Sequence, residues 1–166
     1  MPKCPECSFN SKSSNSCDLC DHVMTIPTKK IKIKDENVKD LVKELDRVFS
    51  IFIRTRYMDF QGIAKCFTCG QYEHWRKGGH MQCGHYISRD NKPLRWHEEN
   101  CQTQCVRCNI TLKGNYPAYS QALIRKHGVG ILDKLEIIKN NEFKLERGKL
   151  KILIAYYTKK IEHIKL

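Results

Sequence analysis

Two Cys-x-x-Cys pairs, Cys66-Phe67-Thr68-Cys69 and Cys105-Val106-Arg107-Cys108, constrain this chain more than any other feature. Each pair presents two sulfurs from one tight turn, and two such turns brought together offer one ion four thiolates in a tetrahedron, the arrangement of structural zinc. A second set, Cys4-Pro5-Glu6-Cys7 and Cys17-Asp18-Leu19-Cys20, is separated only by the polar stretch SFNSKSSNS. So short a segment cannot bury enough apolar surface to fold without an ion. Two structural zinc ions are therefore expected, one on Cys4, Cys7, Cys17 and Cys20 and one on Cys66, Cys69, Cys105 and Cys108. Redox dithiols account poorly for two pairs in each set. Both sites are closed, so they hold structure and do not catalyse. Cys83 and Cys101 remain, and are read as buried small apolar residues.

The 166 residues allow one ordinary domain with a modest core, or a small domain with appendages. The N-terminus MPKCPECS has no apolar signal region and no run of 18 apolar residues occurs, so a cytoplasmic protein without membrane insertion is expected. In that reducing compartment paired cysteines bind metal rather than form disulfides. The 30 Lys and Arg against 18 Asp and Glu leave a net charge of +12, which favours a polyanionic partner, with nucleic acid foremost.

Along the chain, TIPTKKIKIK at residues 25–34 reads as a basic linker, a short strand or a phosphate-contacting arm. Residues 36–56 predict a helix, because Val38, Leu41, Val42, Leu45, Val48, Phe49, Phe52 and Ile53 recur at three- and four-residue steps behind Asp35 as N-cap. Its charged face, with Arg54 and Arg56, reads as solvated surface, near enough to the site to reach phosphate. Cys66 and Cys69 then sit on a tight hairpin turn closed by Gly70. In the arrangement called a treble clef, such a knuckle and the start of a helix share one ion across a β-hairpin. That hairpin would run through His85 and Arg95 to Asn100, with the helix starting near Cys105. A helix from Asn115 to near Gly128, a second with Ile131, Leu132, Leu135 and Ile138, and a third over 148–164 follow. The last carries a stripe of Leu150, Leu153, Ile154, Tyr157, Ile161 and Ile164 that packs on the other helices or makes a dimer seam. The fold expected is α+β, a small zinc-stabilised ββα core surrounded by helices.

Lys65-Cys66-Phe67-Thr68-Cys69-Gly70, Gly84-His85-Tyr86-Ile87-Ser88-Arg89, Leu94-Arg95-Trp96 with Glu99-Asn100, and Gln104-Cys105-Val106-Arg107-Cys108-Asn109 with Gly114-Asn115 resemble the NinG (Rap) family of lambdoid phage recombination proteins. The core also resembles the wider HNH or His-Me finger nucleases. The resemblance implies a structure-specific endonuclease acting on branched recombination intermediates such as Holliday junctions and D-loops. It also implies a domain plan: 1–24 an N-terminal zinc segment, 25–34 a linker, 35–128 the HNH-like core with its preceding helix, and 129–166 a helical region. Branched or duplex DNA is the partner expected, and a homodimer would suit a junction with two symmetric scissile strands.

Phosphodiester hydrolysis needs a deprotonated water in line with phosphorus and charge stabilisation on the departing oxygen. His85 is the general base implied, and Asn100 orients it or stiffens the hairpin through its amide. Asn109 occupies the family position of the helix-borne ligand for magnesium or another divalent cation. Many His-Me nucleases carry Asp or His just before the catalytic histidine, where this chain has Gly84, so His80, Asp90, His97, Glu98, Glu99 or Asn115 would have to complete the shell. Arg76, Lys77, Arg89, Lys92, Arg95 and Lys113 are the expected phosphate contacts, reading backbone shape rather than sequence. The alternatives are a non-catalytic zinc module that binds nucleic acid, or a sequence-specific HNH endonuclease.

Overall fold

The computed structural model describes residues 37–76 and 81–164, all within the unit Glu36–Leu166. Cys4, Cys7, Cys17 and Cys20, the basic stretch 25–34, Lys77 and His80 lie outside the described residues. The chain runs α1 (Val38–Thr55), β1 (Ile63–Lys65), β2 (Tyr72–His74), β3 (Met81–His85), β4 (Cys101–Cys105), α2 (Tyr116–His127), α3 (Ile131–Lys139) and α4 (Arg147–Glu162). This is a mixed α+β architecture.

The apolar spacing of α1 turns Leu41, Leu45, Val48, Phe49, Phe52 and Ile53 inward. Its N-cap is Asn37 rather than Asp35, because the Asn37 amide oxygen accepts from the Asp40 N–H at 2.9 Å and satisfies a donor the helix cannot. α4 lies along α1, where Leu150 and Tyr157 are buried and Leu153, Ile154, Ile161 and Ile164 close the edges. The Tyr157 ring stands edge-on to Phe49 at 4.9 Å. The stripe on α4 is thus spent inside the chain. Arg56, expected on a solvated face, is only 7% exposed. It donates to the Cys101 carbonyl at 2.8 Å and the Gln102 amide oxygen at 2.7 Å, tying the end of α1 to β4.

Two antiparallel hairpins carry the cysteines. β1 pairs with β2 through Ala64↔Glu73, and the turn between them holds Cys66 and Cys69 and closes at Gly70, whose φ of 78° suits glycine. β3 pairs with β4 in the register Met81↔Cys105, Cys83↔Thr103 and His85↔Cys101. The Phe67 N–H donates to the Thr103 carbonyl at 2.8 Å and joins the first hairpin to the second.

The helix expected near Cys105 is present but short. β4 runs to Cys105 itself, and only the single turn Arg107–Thr111 follows. Lys113, Gly114 and Asn115, with φ of 46°, 95° and 49°, are left-handed and cannot continue a helix. α2 therefore starts afresh at Tyr116. It packs with α3 on the β3–β4 connection, burying Leu94, Tyr119, Leu123, Ile131 and Leu135 together.

Candidate metal centre and adjoining cleft

The β1–β2 turn and the end of β4 bring Cys66, Cys69, Cys105 and Cys108 together, with ligand atoms all within 4.8 Å of one another. Cys69 and Cys105 sulfurs stand 3.7 Å apart, against about 3.8 Å between two thiolates of a tetrahedral zinc site. Backbone N–H groups already point at sulfur, Cys105 to Cys66 at 3.3 Å and Cys108 to Cys105 at 3.5 Å. Burial raises the Cys66 thiol, but the Cys69 N–H, the Thr68 hydroxyl and the Cys105 N–H outweigh it and bring the pKa down to about 6. Burial pushes Cys105 up to about 12, with the neighbouring Cys66 charge adding to it. Four thiols this close cannot all ionise against one another, and a dication removes that repulsion. The cluster fits a metal ion such as zinc.

Beside this cluster, His85 ends β3, half-buried, with Nε2 at 3.0 Å from the Arg95 carbonyl. A carbonyl only accepts, so Nε2 carries the proton and the neutral ring keeps its lone pair on Nδ1. Burial lowers the His85 pKa by more than the Arg95 and Cys83 carbonyls raise it, and the Arg89 charge lowers it further. The ring is neutral near pH 7. It lines a cleft of about 350 Å³ with Arg54, Gln82, Cys83, Arg89 and Asn109. An adjoining hollow of about 250 Å³ shares Cys83, His85, Arg89 and Asn109 and reaches Lys113 and Tyr116. Asn109 rides the turn after Cys108 and its amide donates to Gln82 Oε1 at 2.6 Å. The sequence-expected pair, His85 and Asn109, thus faces one cleft.

Asn100 is fully buried. Its oxygen accepts from the Ile87 N–H at 2.8 Å, and its nitrogen donates to the carbonyls of Ile87 at 2.9 Å and Leu94 at 3.0 Å. It staples the β3–β4 connection. Gly84 has a steric cause. The pleat puts position 84 on the face opposite His85, and a Cβ there would collide with the Gln104 side chain. A side chain mounted before His85 would have to displace Gln104. Asp90 bonds Ser88, Glu99 pairs with Lys134 at 2.5 Å, Glu98 pairs with Lys160 at 3.0 Å, and the Asn115 amide meets the Cys108 sulfur at 3.5 Å. None of these, nor His97, lines the two hollows. The groups that do gather at His85 are Cys83 and Cys101, one ligand atom of each lying within 4.8 Å of the others.

The expected phosphate contacts divide. Arg89 and Lys113 border the His85 hollow. Arg95 lines the cleft but is paired with Asp46, its Nη2 and Nε at 2.6 and 2.9 Å from the carboxylate. Arg76 is exposed beside a different hollow with His74 and Trp75, and Lys92 is exposed where the connection turns. Asp46, which binds Arg89, Arg95 and the Trp96 indole at once, was not singled out from sequence. Its only signal was a carboxylate on the basic face of α1.

A family model described as "Bacteriophage Lambda NinG protein" matches residues 4–166. Among curated proteins the chain is similar to protein ninG of Salmonella phage P22, at 31% identity over 57% of this chain and 43% of that protein. It is similar to protein ninG of Escherichia phage lambda at 28% over 75% and 57%, and to that of Escherichia phage 933W at 27% over 75% and 58%. The chain spans about half the length of these relatives. No solved structure matches it. Among the described residues no helix is long and apolar enough to cross a membrane.

Proposed function

The chain belongs to the NinG family, and from that premise we propose that it is a metal-dependent, structure-specific DNA endonuclease acting on branched intermediates such as Holliday junctions and D-loops. The observation that carries this reading is the placement of His85: its tautomer held by the Arg95 carbonyl, at a cleft shared with Asn109 and bordered by cations. We read the two hairpins, the four-cysteine clamp and the turn bearing Asn109 as a His-Me finger core in which the helix is cut to one turn.

On this reading His85 Nδ1 takes the proton of a water aligned with phosphorus. The Asn109 amide oxygen has no protein donor among the described residues and would hold a magnesium ion, whose charge offsets that on the departing oxygen when bound. Arg54, Arg89 and Lys113 hold flanking phosphates, positioning the strand without reading bases. Asn100 and the zinc clamp keep the His85 strand and the Asn109 turn at a constant separation.

The test is cleavage of a synthetic four-way junction with magnesium, wild type against His85→Ala. The expected result is loss of cleavage with junction binding retained. Cleavage at the wild-type rate in the variant removes His85 as base, and binding without cleavage by the wild type makes the protein a zinc-dependent junction binder.

A further inference from the structure

The register of β3 and β4 assembles a group that the hydrolytic scheme does not use. Cys83 and His85 are two residues apart on β3, so the pleat sends both side chains to one face. Cys101 is the direct cross-strand partner of His85. One ligand atom from each lies within 4.8 Å of the other two. Cys101 is fully buried, and its sulfur makes only long contacts, to the carbonyls of Arg95 at 3.7 Å and Leu94 at 3.9 Å and from the Asn100 amide at 4.0 Å. A second observation points to a ligand. The His85 Nε2–H is committed to the Arg95 carbonyl, the kind of outer hydrogen bond by which metal-binding histidines are oriented, and on that tautomer Nδ1 keeps its lone pair.

We propose that Cys83, His85 and Cys101 form a separate site for a thiophilic dication of the zinc class, open to the cleft at its fourth position, and that filling it silences hydrolysis. Two sulfurs and an imidazole select zinc over magnesium, which wants oxygen. On binding, two thiols release their protons and the ion takes the Nδ1 lone pair. The same nitrogen then cannot accept a proton from water. The silencing half rests on the reading of His85 as base, while the metal site stands on geometry alone.

The experiment uses the full chain equilibrated at one buffered free zinc concentration, then repeated with cobalt, whose thiolate charge-transfer absorption reports sulfur ligation. Metal per chain is measured for the wild type, Cys83→Ser and Cys101→Ser, with circular dichroism confirming that each is folded. The half-exposed Cys83 is the variant least able to disturb the core. The wild type should hold one dication more than Cys83→Ser and show stronger cobalt–thiolate absorption. Equal metal content and equal absorption overturn the site. Junction cleavage at constant magnesium is then titrated with zinc, each protein carrying its clamp metal and compared with its own rate before zinc is added. Cys83→Ser should need at least about tenfold more zinc for half inhibition. Equal sensitivity, or stimulation of the wild type by zinc, overturns the silencing. If magnesium supports no cleavage in any protein, the nuclease reading and the silencing fall together, and an extra dication in the wild type still upholds the site.

Discussion

Asp46 joins α1 to the His85 connection, and truncating it gives a prediction whose size follows from the structure. Its Oδ1 accepts from Arg95 Nε and Trp96 Nε1, both at 2.9 Å, and its Oδ2 from Arg95 Nη2 at 2.6 Å and Arg89 Nη2 at 2.9 Å. The side chains of Asp46 and Arg95 are 24% and 20% exposed, but that of Arg89 is 58% exposed. Burial works against the carboxylate, yet the hydrogen bonds and charge of Arg95, the Trp96 N–H and the Arg89 charge hold its pKa below the usual range. A bidentate and largely desolvated pair couples by about 1.5–3 kcal/mol, whereas an exposed partner is screened to below about 1 kcal/mol. Asp46→Ala should cost about 3 kcal/mol, since it strands the Arg95 guanidinium and the Trp96 N–H together. For a chain of this size that lowers Tm by about 6–12 °C. A depressed folded pKa contributes stability that is present above the unfolded value, about 3.9, and lost as pH falls through the folded one. The gap between wild type and variant should therefore persist from neutral pH down to about 5 and close only below about 4. Urea unfolding in double-mutant cycles, Asp46→Ala with Arg95→Ala and with Arg89→Ala, measures both couplings. Equal couplings, or an Arg95 coupling under about 0.5 kcal/mol, refute the account of a buried anchor and an exposed rider.

The remaining predictions follow the same contacts. Stripping metal with a mercurial should abolish amide-exchange protection at the Phe67 and Cys105 N–H groups, and protection unchanged in the stripped chain means the clamp is not a metal site. Gly84→Ala drives a Cβ into Gln104 and should cost about 2–3 kcal/mol, so a Tm within about 2 °C of wild type contradicts the packing of that face. Asn100→Ala removes an acceptor and two donations to backbone and should cost about 3 kcal/mol, read by unfolding and by faster exchange at the Ile87 amide. Arg89→Ala and Lys113→Ala should each lower the slope of log Kd for junction DNA against log salt by about 1, and an unchanged slope removes that residue from the phosphate path.

What the sequence made legible was periodic or paired. The α1 stripe, the two later helices, the α4 stripe and the knuckle at Cys66 and Cys69 all announce themselves by spacing, and the structure has them within a residue or two. What it concealed depends on register. Nothing in the spacing of Cys83 and Cys101 tells that a fifteen-residue connection returns Cys101 opposite His85, so both read as small apolar residues. The helix expected after Cys105 stops after one turn because Lys113, Gly114 and Asn115 take left-handed backbone, a choice that Asn and Gly permit but Lys does not advertise. Arg56 and Asp46 looked like surface charges because the partners that bury them, β4 and the Trp96 segment, are distant in sequence.

The register also links the metal clamp to the cleft. Met81 pairs with Cys105 at one end of the β3–β4 ladder and His85 with Cys101 at the other, so the strand that supplies a clamp sulfur also aligns the imidazole. Asn109 follows Cys108 directly and reaches Gln82 on the neighbouring strand at 2.6 Å. A slip of β3 by one residue would turn His85 and Cys83 away from Cys101 to the opposite face, where Gly84 and Gln104 now fit each other. The bulk of Gln104 and the missing Cβ at Gly84 therefore lock the register from behind while the sulfurs hold it at the end. This is why the position before His85 is empty of chemistry: its side of the pleat is occupied by the packing that keeps His85 in place.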